Sequence, residues 1–346
     1  VQLGSGNELR RDYQYLEVPI GQGIYIWKDF NEDGNQQLNE FQVASFADKN
    51  LANYIKVYLP TTSLIKIQST QFSQTFNINS FGNRKFVGLR GFINRFSDQA
   101  ALRLDRKVQA KDVLPFDAAF NWDVQDTSLV SLASVVRNTL FFNKNNPKYG
   151  LDFGLNQGKN KTYQTNGFES RTRAEYSLGG RYNITANWTI TGAYIDGAKS
   201  YFSQLFSSNN YQFTFKELKP KLSYQYQQTW RVSLEYSLKE SNNKSEYGGE
   251  NSSVNELGTE LRYSFVKLGV ASFKYSYYEV DFDGSVNTPL AYEMLEGLSL
   301  GSNQLWTLTL QQRIGQNLQI NLSYEGRKSG LVPVIHTGKM EARYLF

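Results

Sequence analysis

The 346-residue sequence contains no cysteine. Disulfide frameworks, cysteine metal sites and cysteine nucleophiles are therefore excluded. It has a single histidine, His336, too few nitrogen or sulfur ligands for a zinc centre. No run approaches the ~18 apolar residues that a membrane-spanning helix needs, and the mean hydropathy is −0.51. The net charge of +5 comes without a basic run interleaved with aromatics, so nucleic acid is not an expected partner. Gly21-Gln22-Gly23 is too short for a phosphate-binding fingerprint, and no helix pattern follows it. The chain opens on V-Q-L-G-S-G, without Met or a signal peptide, as expected of a processed protein or a piece of a longer one.

Aromatic residues, by contrast, are plentiful: 23 Tyr, 23 Phe and 5 Trp make up 15% of the chain. They fall into alternating patterns, seen most plainly in the last thirteen residues, V-I-H-T-G-K-M-E-A-R-Y-L-F. Phe346, Tyr344, Ala342, Met340 and Gly338 form one face; Leu345, Arg343, Glu341, Lys339 and Thr337 form the other. Period-two alternation is a strand between two different environments. A chain that is polar on average, rich in aromatics and alternating has the pattern of a membrane β-barrel, in which lipid-facing and lumen-facing residues cancel in the mean. A large soluble sandwich or solenoid is the competing reading.

Ten further strands of this kind can be followed upstream, from Leu318–Tyr324 back to Val136–Phe142. Their connections alternate in length. Short turns such as Lys144–Pro147, Thr185–Asn187, Gln227–Thr229, Val266–Gly269 and Ile314–Asn317 separate longer polar segments at Gly158–Gly167, Gly197–Asn210, Glu240–Ser253 and Asp283–Asn303. Short periplasmic turns and longer extracellular loops are how outer-membrane barrels are built. The long segments are thus expected to face outward, with Phe346 at the periplasmic rim. Tyr211, Phe213 and Phe215 have the opposite parity to Leu222 onward, which predicts a bulge near Glu217–Pro220. Phe116–Trp122, Lys85–Phe96, Ala100–Lys107 and Gln71–Asn79 are weaker strand candidates. The expected fold is all-β, a transmembrane antiparallel barrel of about 14 strands, with 12–16 possible. It occupies residues 61–346 and follows a small amino-terminal segment, residues 1–60.

That segment carries the sharpest motif. Asp29-Phe30-Asn31-Glu32-Asp33-Gly34-Asn35, followed by Glu40, fits D-x-[DN]-x-[DN]-G-x5-E at every defined position. Asp29, Asn31 and Asp33 would present side-chain oxygens to calcium. Gly34 would allow the sharp turn, Asn35 would offer its carbonyl, Gln37 would reach directly or through water, and Glu40 would close the shell with two oxygens. The loop resembles EF-hand and dockerin-type loops, but Gly21–Trp27 before it reads as strand. Only the exit, Phe41–Leu51, has helical spacing. Tyr54–Leu59 reads as a strand stopped by Pro60. With an even strand count the calcium loop is expected in the periplasm, opposite the long loops.

The segments M-L-E-G-L, G-S-N-Q-L-W, L-Q-I-N-L-S-Y-E-G-R-K-S-G and V-I-H-T-G-K-M-E-A-R-Y-L-F, between Met294 and Phe346, resemble the carboxy-terminal end of large outer-membrane β-barrel proteins of Bacteroidota. The upstream W-K-D-F-N-E-D-G-N-Q-Q-L-N-E-F resembles a segment that precedes the barrel in those proteins. The resemblance implies a bacterial outer-membrane location and a carboxy-terminal region of a longer polypeptide. It carries no activity to any residue, and no plug domain of a TonB-dependent transporter is evident.

No catalytic cluster emerges. His336 has the parity of Gly338 and Met340, a face without a partner for a general base, and is expected as an interfacial residue. Glu325, Arg327 and Lys328 read as a lumen or rim ion pair. Arg171, Arg173, Glu175 and Arg181 are expected to face the lumen. The expected role is non-enzymatic: a scaffold or subunit of a cell-envelope complex, in contact with the lipid bilayer and with protein partners, and holding a structural calcium ion. The alternative is a channel or partner-gated pore for solute or polypeptide.

Overall fold

The computed structural model describes residues 1–30, 33–44, 51–79, 88–109, 129–164, 167–203, 209–265, 269–315, 317–330 and 332–344. They form one antiparallel sheet of sixteen strands. Two of these, β2 (Tyr25–Trp27) and β3 (Phe41–Val43), are three residues long. The fourteen long strands are β1 (Gln2–Glu17), β4 (Tyr54–Ile78), β5 (Phe96–Gln109), β6 (Leu129–Phe142), β7 (Tyr149–Gln164), β8 (Gly167–Asn183), β9 (Trp188–Ser203), β10 (Tyr211–Tyr226), β11 (Trp230–Asn243), β12 (Asn251–Phe265), β13 (Gly269–Phe282), β14 (Gly301–Ile314), β15 (Leu318–Ser329) and β16 (Ile335–Tyr344). From β4 to β16 each long strand pairs with its neighbour in sequence, and β1 pairs with β4. The sheet is not closed: among the described residues no pairing joins β1 to β16. Two short helices, α1 (Leu89–Ile93) and α2 (Pro289–Met294), lie in connections. Among the described residues no helix is long and apolar enough to cross a membrane.

The two faces of the sheet differ as the alternation requires. On one, Trp230, Val232, Leu234 and Tyr236 of β11 are 41–51% exposed. They lie beside Tyr226, Tyr224 and Leu222 of β10 and Tyr263 and Leu261 of β12 in register. The other face is polar. Ser223 and Ser233 share a hydrogen bond of 3.0 Å, and Lys221 pairs with Glu235 at 3.1 Å. The sheet curls toward this polar face. Lys56 of β4 reaches Glu169 of β8 at 3.3 Å although three strands separate them in the sheet.

Several expectations are corrected. β10 has no bulge: its register to β9 is continuous from Tyr211 to Tyr224, and its register to β11 is the same on either side of Lys219–Pro220, where the pairing lapses. Tyr211, Phe213 and Phe215 therefore share the inner face with Glu217 and Lys221. They are apolar because α2 packs on them: Leu290 and Met294 join these three rings in one buried cluster. Gly197 of β9 makes room for this, since a Cβ there would lie 2.5 Å from the Phe215 ring. Part of the Asp283–Asn303 segment thus packs against the inner face of the sheet.

Gly158–Gly167 is largely strand, because β7 and β8 extend to a two-residue connection at 165–166. β4 runs through Pro60, which sits at the register shift against β1, where β5 contributes no ladder partner. Residues 88–95 form a turn and α1, so no strand spans Lys85–Phe96. The strand expected at Phe116–Trp122 lies outside the described residues. The boundary expected at residue 60 falls inside β4, and residues 2–17 belong to the sheet. Because β1 has already traversed the sheet, residues 18–53 emerge at the same end as connections 204–210, 244–250 and 283–300, not at the opposite end.

Candidate metal centre and the filled mouth of the sheet

β2 and β3 pair as a hairpin, Trp27 opposite Phe41 and Tyr25 opposite Val43, and the acidic loop is its connection. The exit is a single 3-10 turn, Leu38–Glu40, followed directly by β3. This corrects the helical expectation for Phe41–Leu51 as far as Val43. Phe41 is buried against Tyr15 and Tyr54, and that packing holds it in strand geometry. Residues 45–50 lie outside the described residues.

The loop brings carboxylate oxygens of Asp29, Asp33 and Glu40 within 4.8 Å of one another. Gly34 at φ +73 makes the turn. Its N–H donates to Asp29 Oδ2 at 2.8 Å, and Asp33 N–H donates to Asp29 Oδ1 at 3.3 Å. Asn35 N–H donates to Asp33 Oδ1 at 2.7 Å, and the Gln37 amide donates to Asp33 Oδ2 at the same distance. Glu40 is buried; its Oε2 accepts from Trp27 Nε1 at 2.9 Å and from Gln37 N–H at 3.1 Å. Asn31 lies outside the described residues. Three converging carboxylates on a glycine turn are hard oxygen donors of the kind calcium takes. The donor set fits that ion, with Asp29, Asp33 and Glu40 brought together and Asn35 and Gln37 beside them.

The hairpin leans into the open end of the curled sheet and meets α2. Tyr15 stacks on Phe41 with centroids 4.2 Å apart, and Tyr25 meets Tyr15 edge-on at 5.0 Å. On the opposite wall Tyr201 and Tyr211 lie 5.8 Å apart. Between them is a cavity of about 110 Å³ lined also by Lys56, Glu169, Arg171, Tyr292 and Glu293.

α2 is locally specified. Thr288 accepts the Ala291 N–H as N-cap and Pro289 opens the helix. Met294 and Ala291 are fully buried, Ala291 and Leu295 against Val254 and Val280. Two ion pairs flank this seat. Glu293 meets Lys199 at 3.1 Å, and Glu296 meets Lys239, which also lies over the Phe215 ring. Sequence reasoning missed this wedge, although Thr288-Pro289 ahead of an apolar turn signals a helix start.

His336 lies on the outer face as expected, but it has a partner. The Tyr324 hydroxyl is 2.8 Å from His336 Nδ1, and the two rings stack at 6.0 Å. Trp306 completes the group by lying across Gly326, where a Cβ would come within 2.2 Å of the indole. Arg173 pairs with Glu175 on the inner face. Lys339, Glu341 and Arg343 share the inner-face parity of β16, and as an edge strand it leaves them exposed.

No protein-family model matches the chain, and no curated protein does. Among solved structures it is similar to the toluene transporter TbuX of Ralstonia pickettii, at 10% identity over 99% of this chain and 88% of that one, with a TM-score of 0.32. A likeness of that degree carries no functional weight.

Proposed function

We propose that the chain is a bacterial outer-membrane β-barrel that serves as a scaffold or subunit of a cell-envelope complex, with its lumen shut by its own α2 and β2–β3 hairpin. The observation that carries this reading is the filled mouth: α2 is seated on Phe213 and Phe215, and the hairpin packs on Tyr15 and Tyr54. A porin keeps a water-filled lumen; here apolar side chains from a connection occupy the inner wall. Membrane insertion is supported by the outward-facing apolar band, which on β11 runs from exposed Trp230 through Tyr236 to half-buried Leu238, against about 9–11 residues for a bilayer-crossing strand. With short turns in the periplasm, the calcium loop and α2 lie on the outward side. Calcium bound by Asp29, Asp33 and Glu40 would fix the hairpin in the mouth, as a structural ion.

Single-channel recording of protein reconstituted in planar bilayers tests the reading. The intact chain is expected to be silent. Replacing residues 285–300 with a short Gly-Ser linker, together with removal of 20–50, is expected to produce a steady conductance. A large conductance in the intact chain would favour the alternative, a channel or partner-gated pore, for which the charged inner wall around Lys221, Glu235 and Glu260 is the supporting observation.

A further inference from the structure

We propose that the cavity between the hairpin, α2 and strands β8–β10 binds a small ring-bearing anion, a carboxylate or phosphate ester, with Arg171 as its anion anchor. Two cations line this cavity, Lys56 and Arg171, with two carboxylates, Glu169 and Glu293; Lys199, outside the lining, stands behind Glu293. The carboxylates are already matched: Glu169 is 3.3 Å from Lys56, and Glu293 is 3.1 Å from Lys199. Arg171 is the remainder. Among the described residues it makes neither an ion pair nor a hydrogen bond, and its guanidinium rests over the Tyr201 ring at 5.2 Å. Two residues on, Arg173 has the same facing but is consumed by Glu175.

A guanidinium held over a ring keeps its N–H groups free, and these match the two oxygens of a carboxylate or phosphate. A charge-assisted fork of this kind is among the stronger single contacts a site can make. The rest of the lining decides what the anion is attached to. Tyr25, Tyr211 and Tyr292 present ring surface, and Asn209 presents an amide. The volume of about 110 Å³ is well under the ~300 Å³ at which drug-sized ligands begin. It has no room for a polymer, and a single ring is the largest group it takes. Tyr25, Phe41 and Val43 of the hairpin line the site, so it rests on the hairpin being seated in the mouth, but not on whether the barrel conducts.

Isothermal titration of the detergent-solubilised full chain with phenyl phosphate tests this, with phenol and inorganic phosphate as half-ligands. Phenyl phosphate is expected to bind saturably and more tightly than either half. Arg171→Gln is expected to weaken it about tenfold or more, the loss of one charge-assisted contact. Arg171→Lys is expected to fall between, and Arg173→Gln to leave binding unchanged. Circular dichroism of each variant confirms the retained sheet. No saturable binding to the intact chain, equal binding in Arg171→Gln, or an equal loss in Arg173→Gln would overturn the proposal.

Discussion

Trp27 Nε1 donates a hydrogen bond of 2.9 Å to Glu40 Oε2, tying the strand that enters the acidic loop to the carboxylate that closes it. An ion that draws on the Glu40 oxygens therefore alters the polarity beside the Trp27 indole. Calcium titration is expected to change tryptophan fluorescence saturably. The change should vanish in Asp33→Ala, which removes a central ligand. In Trp27→Phe the signal is lost while binding, read by calorimetry, persists. No heat at millimolar calcium would end the calcium reading.

Leu234 lies in the middle of the outer apolar band and is 51% exposed. On a water-exposed surface Leu234→Arg should change stability by less than about 0.5 kcal/mol. In a bilayer it should cost roughly 2–4 kcal/mol, since arginine at mid-depth loses its hydration. Denaturant unfolding from lipid vesicles distinguishes the two, and a neutral result there would count against a membrane-facing surface.

The ion pair between Lys239 and Glu296 is unequal in burial: the Lys239 side chain is 4% exposed and that of Glu296 55%. Removing the carboxylate strands a buried ammonium, whereas removing the ammonium leaves a carboxylate that water can reach. Glu296→Gln is therefore expected to destabilise more than Lys239→Met, by about 1–3 kcal/mol, below the 3–5 of a fully buried pair because one partner is half solvated. Equal losses would mean that the lysine is hydrated in the folded chain.

Acid should release the same loop from both ends. Burial would raise the Glu296 pKa, but Lys239, helped by Lys199 and Lys219, outweighs it and holds the carboxyl below its ordinary 4.5. The Asn251 N–H and side-chain amide hold Asp283 below its ordinary 3.8. A carboxyl whose folded pKa is depressed contributes stability above its unfolded pKa and loses it as pH falls through the folded value. Acid-stable proteolysis with pepsin is expected to cut within 283–300 only once pH drops below the ordinary carboxylate range. Cutting that is independent of pH would show that the apolar seat alone governs the loop.

The parts of the sheet that were legible in the sequence are those where the two faces meet different surroundings. Trp230, Val232 and Leu234 alternate with Arg231, Ser233 and Glu235, and the strand reads plainly. Beyond the band that contrast disappears. Lys159, Asn160, Lys161 and Thr162 are polar on both parities, so the upper part of β7 resembles a loop although its ladder to β8 continues. Phe213 and Phe215 misled in the opposite way, because an inner face covered by α2 carries the signal of an outer one. The acidic loop was legible because its chemistry is local: Asp29, Asp33 and Glu40 sit on one turn. The mouth cavity was not, because Tyr15, Arg171, Tyr211 and Tyr292 meet only through tertiary folding.

Thirteen antiparallel pairings separate β1 from β16, so the two free edges run in opposite directions. Each presents a row of backbone donors and acceptors, and hydrocarbon supplies none in return. Because neither strand has to reverse, one chain can zip its own edges together, and two copies can equally zip to each other. The outcome is governed by mass action. In a bilayer, tethered edges would meet at an effective concentration on the order of millimolar, which would favour closure within one chain at low density and pairing between copies only under crowding.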